Sequence, residues 1–198
     1  MQDMPDILNR WPHVRVAINV SGLELAEATF AKQFVAAVSK INANYLSHIE
    51  LELTESIFLY DLPKVRENLE VLRQAGISVA IDDFGTGHSS LARLHTLPFD
   101  KIKMDRSFVI GIKDPMVQAI VKAMVQITKE FNKILVVEGL ENTTQAKLLT
   151  SLGCHMAQGY LFGKPVPAPA FRALLQPAPA LHGLDGPSRG QEATEQGA

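Results

Sequence analysis

The sequence predicts an α/β protein built as a TIM-like (β/α) barrel with about six βα units. Two observations lead there. Short apolar runs of strand character alternate, six times, with stretches of helical spacing, and repeated β–α alternation implies a parallel sheet. That alternation alone leaves a doubly wound sheet and an incomplete barrel both open. The second observation separates them. Asn19, Glu52, Asp82, Asp83, Lys103, Asp105, Glu138, Glu141 and Gln158 all fall late in a strand or just beyond it. In a ring those ends converge on one face. In an open sheet only the ends at a switch point meet.

The elements follow in order. VRVAINV (14–20) is the first strand, and Leu25, Phe30, Phe34, Val35 and Val38 predict a helix from about Glu24 to Ile41. In SHIELELTES, Ile49, Leu51 and Leu53 alternate with Glu50 and Glu52, which marks a strand. Glu50 either shares the face of Glu52 or belongs to the other end of the barrel. Leu62 to Gln74 carries Val65, Leu69 and Leu72 on one helical face, Gly76 closes it, and ISVAI (77–81) is the third strand. A short helix fits Ser89–His95, and strand FDKIKMD (99–105) comes after Pro98. Pro115 opens a helix to about Phe131, KILVVE (133–138) is a strand, Thr143–Leu152 a helix, and CHMAQGYLF (154–162) the last strand. Phe171, Leu174 and Leu175 suit one short helical contact. Residues 177–198, rich in Pro and Gly with little to bury, are expected to be a disordered tail after a domain of residues 1–176.

Composition narrows the function. Nineteen Lys and Arg stand against 21 Asp and Glu, so no field steers a nucleic acid polymer or a membrane surface to the chain. No stretch is long and apolar enough for a membrane segment, and MQDMPDILNRW lacks the form of a signal peptide. Cys154 is the only cysteine, which fits a cytoplasmic setting and excludes an internal disulfide.

The chemistry starts from Asp82 and Asp83, adjacent carboxylates at the end of a buried strand. Like charges so placed repel, and something must compensate. Glu52 interrupts another apolar strand, and Asn19 adds a neutral oxygen. An all-oxygen set with carboxylates suits Mg²⁺ or Mn²⁺. Two such ions, bridged by Asp82, cancel the repulsion and activate water against phosphorus. Lys103 is placed to orient that water or meet a phosphate oxygen. Plainer roles exist for each residue alone: a helix cap for Asp83 or Thr86, a pair with Asp105 for Lys103, a structural bridge for Glu52, a turn for Asn19, a helix start for Glu138. For all of these to hold at once, every one of them would have to be coincidental. Cys154 and His155, adjacent in a strand, point to opposite faces and form no nucleophile pair. His88 is the one histidine near the site.

INVS (18–21), LELTES (51–56), IDDFGTGHSSL (81–91), LPFDKIKMDRSF (97–108), VVEGLEN (136–142) and HMAQGYLFGKP (155–165) stand in a specific order and spacing. Together they resemble the bacterial EAL-type phosphodiesterases, which hydrolyse cyclic di-GMP to linear pGpG. The resemblance implies Asn19, Glu52 and Asp82 as ligands of a first metal, and Asp82, Asp83 and Glu138 as ligands of a second. It implies that Lys103 contacts the attacking water with Glu141 in support, that Asp105 shares its strand end, and that Gln158 lies near the substrate. Glu55 looks like the residue that holds the DDFGTG loop, and the loop following Asp83 implies a homodimer contact. Upstream sensor domains are implied for a longer parent protein. His88, Val137, Asn142 and His155 replace residues common in the family without removing a ligand. No Glu-Ala-Leu precedes Asn19. The barrel is therefore expected to be incomplete at its N-terminus, and the first metal to lack a charged ligand. Weak or absent hydrolysis follows, or an inactive module that binds cyclic di-GMP or a protein in second-messenger signalling.

Overall fold

The computed structural model describes residues 4–86 and 91–176. The chain divides into two compact units, Met1–Val166 and Pro167–Ala198. The first carries α1 (Met4–Arg10), β1 (Val16–Asn19), α2 (Gly22–Ala26), α3 (Phe30–Asn42), β2 (Ile49–Thr54), α4 (Leu62–Gln74), β3 (Ser78–Phe84), α5 (Leu91–Leu94), β4 (Lys101–Met104), α6 (Arg106–Ile110), α7 (Pro115–Glu130), β5 (Ile134–Val137), α8 (Thr143–Ser151) and β6 (Met156–Ala157). The described part of the second unit holds α9 (Ala168–Leu174). The expected tail, 177–198, and His88 lie outside the described residues.

Among the described residues all six strands are parallel and pair in chain order, β1-β2-β3-β4-β5-β6, with β1 and β6 as edges. A doubly wound sheet reverses its order at a switch point. This one never does, so the sheet is an arc of a barrel. Parity divides it into two faces. Ile49, Leu51, Leu53, Val79, Ile81, Ile102, Met104 and Val137 alternate onto the helix-covered face and are fully buried. Each such side chain contributes about 1.5–3 kcal/mol by leaving water. The registers bring Asn19, Glu50 and Glu52, Ser78 and Asp82, Lys101 and Lys103 onto the inner face.

The expected helix from Glu24 to Ile41 is two helices. Ser21 accepts from the Glu24 N–H while the Glu24 carboxylate accepts from the Ser21 N–H, which starts α2 sharply. The chain turns extended at Glu27. Asn68 of α4 then holds the break: Oδ1 accepts from the Ala31 N–H at 3.3 Å, and Nδ2 donates to the Leu25 and Glu27 carbonyls at 2.8 and 2.9 Å. The last strand is also shorter than expected, because Gly159 presses on the Leu140 backbone. A Cβ there would lie 2.3 Å from Leu140 N, so the chain leaves the ladder at a point only glycine can occupy. Among the described residues, no helix is long and apolar enough to cross a membrane.

Candidate metal centre at the strand ends

Asp82 and Asp83 reach one site because β3 is irregular where they sit. The β3–β4 pairing runs Ile81 to Ile102 and resumes at Phe84 to Met104, so β3 spends one residue more than its neighbour. Asp83 takes the left-handed conformation, with φ of 53°. In a regular strand the two side chains would point to opposite faces. A bulge re-aims one of them. Aspartate tolerates this backbone better than most residues. Oxygens of Asp82, Asp83 and Glu138, the last just beyond β5, consequently lie within 4.8 Å of one another.

Lys103 stands at the centre of the arc and is buried. Its Nζ lies 2.7 Å from Glu52 Oε1, 2.9 Å from Asp82 Oδ1 and 2.7 Å from Glu138 Oε1. Glu138 Oε1 also accepts from Gln158 Nε2, which fixes that carboxylate from the β6 side. Burial draws the Lys103 ammonium down, and its contacts with Glu138, Glu52 and Asp82 outweigh burial, leaving its pKa above the ordinary value. Burial raises the Glu138 carboxyl, and Lys103 only partly offsets burial and the charges of Asp82 and Asp83. Asp83 is raised by burial first, then by the charges of Asp82 and Asp105.

The supporting residues divide into those the fold brings to this cluster and those it places beside it. Glu55 opens a 3-10 turn, Glu55–Leu59, after β2, and its Oε2 accepts from the Gly85 N–H at 3.3 Å. It thus grips the turn that follows Asp83. Thr86 donates to the Asp83 carbonyl at 2.9 Å and closes the same turn. Arg93 of α5 donates to the Phe58 carbonyl at 2.9 Å, a second tie the sequence reading did not single out. Asn19 is exposed on edge strand β1, in register with Glu52. Asp105 caps α6 by accepting from the Ser107 N–H at 2.9 Å. Its carboxyl is raised by burial but lowered more by Ser107 and Arg106. Glu141 is exposed before α8, its N–H donating to Gln145 Oε1, and it is not among the ion-pair partners of Lys103.

One layer below, Lys101 Nζ lies 2.5 Å from Glu50 Oε2, which also accepts from Ser78 Oγ at 3.1 Å. Both alternatives for Glu50 thus hold in part: it shares the face of Glu52 and sits nearer the other end of the barrel. The i, i+2 repeats Glu50/Glu52 and Lys101/Lys103 were the available signal. Cys154 is buried, and burial pushes its thiol up to about 11, so it is an inert filler.

The oxygen set suits a hard divalent cation. Its donors are carboxylates, and Asp82 Oδ1 is buried with no hydrogen-bond partner among the described residues, its contact with Lys103 being an ion pair out of line for a hydrogen bond. The fold and this site define an α/β barrel-type protein with an acidic, lysine-centred candidate cation site at the strand ends. Residues 1–165 match the EAL domain, and the chain belongs to that family. It is 38% identical over 160 residues to the cyclic di-GMP phosphodiesterase PdeR of Escherichia coli, covering 80% of this chain and 24% of PdeR. The structure of the MucR phosphodiesterase in complex with c-di-GMP, a Pseudomonas aeruginosa protein, superposes with a TM-score of 0.77 at 36% identity, over 86% of this chain and 69% of that one. Klebsiella pneumoniae BlrP1, in a manganese/cy-diGMP complex, gives 0.67 at 30% identity, over 80% of this chain and 41% of that one. The chain spans a quarter or less of the length of the first curated relatives it matches.

Proposed function

We propose that this chain carries the hydrolytic face of a cyclic di-GMP phosphodiesterase, opening one diester to give linear pGpG. The observation that supports this most directly is the convergence of Glu52, Asp82, Asp83 and Glu138 around Lys103 at the ends of four adjacent strands. Asn19, Glu52, Asp82, Asp83 and Glu138 would hold Mg²⁺ or Mn²⁺, two ions in all. When bound, the ions supply an activated water and neutralise charge developing on phosphorus. Lys103 holds the attacking water in line with the scissile bond and meets a phosphate oxygen. The water oxygen loses a proton as it forms the new bond to phosphorus, the bond to O3′ breaks, and O3′ takes up a proton, so that one water is added across the P–O3′ bond. Gln158 keeps Glu138 turned toward the lysine, Glu55 holds the turn after Asp83, and Asp105 caps the helix that follows the strand of Lys103.

A second reading is a binding or protein-interaction module without turnover. Asn19 favours it, standing exposed on an edge strand where a first ion would have few charged ligands. One experiment separates the two: incubate the purified chain with cyclic di-GMP and Mn²⁺ or Mg²⁺, follow pGpG by chromatography, and measure binding in parallel. Slow, metal-dependent pGpG formation that Asp82→Asn abolishes supports hydrolysis. Binding without product supports the module. Neither binding nor product overturns both.

A further inference from the structure

We propose that Lys103 is the resident counter-cation of the metal-free site, and that arriving divalent ions displace it from Asp82 and Glu138. The inference rests on reading the acidic cluster as a cation site. Three carboxylates, Glu52, Asp82 and Glu138, contact one ammonium, and Asp83 lies beside two of them. That ammonium lies within ion-pair distance of all three, 2.7 Å from Glu52, 2.9 Å from Asp82 and 2.7 Å from Glu138. Two of its three partners, Asp82 and Glu138, are also two of the three members of the 4.8 Å oxygen cluster. A divalent ion on that cluster and the ammonium are both positive, and they draw on the same two carboxylates in a half-dry setting. They cannot share them without mutual repulsion.

The side chain is built to yield. A lysine is a point charge on a flexible stem, whereas an arginine fork would be locked to its partners. The lysine one layer below does not take over, because Lys101 is already committed to Glu50. Lys103 therefore does two things in sequence. It keeps mutually repelling carboxylates assembled while no ion is there. Once released, the same ammonium becomes available to water or to a phosphate oxygen. Loading of the site and readiness of the lysine are then one event.

The test is Mn²⁺ binding to the full 198-residue chain, read by electron paramagnetic resonance of free Mn²⁺, for wild type and Lys103→Met. Thermal unfolding of both without metal accompanies it. The expected result is at least tenfold tighter Mn²⁺ binding in Lys103→Met, together with a lower unfolding midpoint without metal. Equal or weaker binding by folded Lys103→Met, with wild type binding normally, overturns this inference alone. If neither protein binds Mn²⁺, the cation-site reading fails and takes the inference with it. Should Lys103→Met not fold, wild type carries the test. The side-chain ammonium signal of Lys103 in nitrogen-15 NMR is expected to shift and lose exchange protection as Mg²⁺ saturates the shifts of Asp82 and Asp83. An unchanged ammonium signal at that saturation overturns the proposal.

Discussion

Two acid–lysine layers lie on the inner face of the same strands, two residues apart, and they behave differently. The lower joins Glu50 of β2 to Lys101 of β4, with Ser78 of β3 between them. The upper joins Glu52 of β2 to Lys103 of β4 and adds Asp82 and Glu138, with Asp83 beside them. The lower layer is balanced, one charge against one. The upper carries a surplus of carboxylate. Stoichiometry and the β3 bulge together distinguish the layers: the lower is a strut, the upper a candidate cation site.

The comparison can be broken from either side. The largest effect is expected in the lower layer, where Lys101→Met leaves Glu50 a buried, unpaired charge. Stability should fall by about 3–5 kcal/mol, read from the urea midpoint, and Glu50→Gln in the same chain should recover much of it. In the upper layer Asp82→Asn should change stability by less than about 1 kcal/mol, since it removes a charge already in excess. The same change should weaken Mn²⁺ binding and turnover by about 100-fold. If Asp82→Asn destabilises as much as Lys101→Met, the distinction between the layers is wrong. A control away from both is Asn68→Ala. It removes three hydrogen bonds at the α2–α3 break and should cost about 2–3 kcal/mol without touching Mn²⁺ affinity.

The smallest effect concerns Cys154. Its thiol is raised from 9.0 to about 11 by burial. The folded state therefore holds the proton more tightly than the unfolded chain. That contribution is whole below pH 9 and is lost as pH rises toward 11. The stability difference between wild type and Cys154→Ala should shrink by about 2 kcal/mol over that window, measured by urea unfolding at each pH.

Much of the arc was legible in the residues. Ile49, Leu51 and Leu53 against Glu50 and Glu52 state both the strand and its two faces. The strand-end polar set named the upper layer, because a buried carboxylate needs a cation wherever it sits. What escaped depended on contacts between distant segments. The break between α2 and α3 is made by Asn68, thirty-seven residues from its partner Ala31. Asn68 sits on the apolar face with Val65 and Leu72, and a polar residue there was the one available clue. Short α1 and α6 have too few turns to show a period. Asp105, a site residue or a partner for Lys103 by its place at a strand end, also stands in an Asp-x-Ser pattern that fits a cap. The bulge at Asp82 and Asp83 could not be read at all, since register exists only once two strands pair.

That bulge amounts to a dislocation in an otherwise ordered lattice: one row of β3 contains a residue its neighbour does not match. Deleting Asp83 would heal the defect. The ladder would run unbroken from Ile81 to Phe84, and the core face, already set by Val79 and Ile81, would keep its packing. The healed sheet would be more regular and would have lost the second of its paired carboxylates. In this chain the most ordered version of the fold and the version that gathers charge are different molecules, one residue apart.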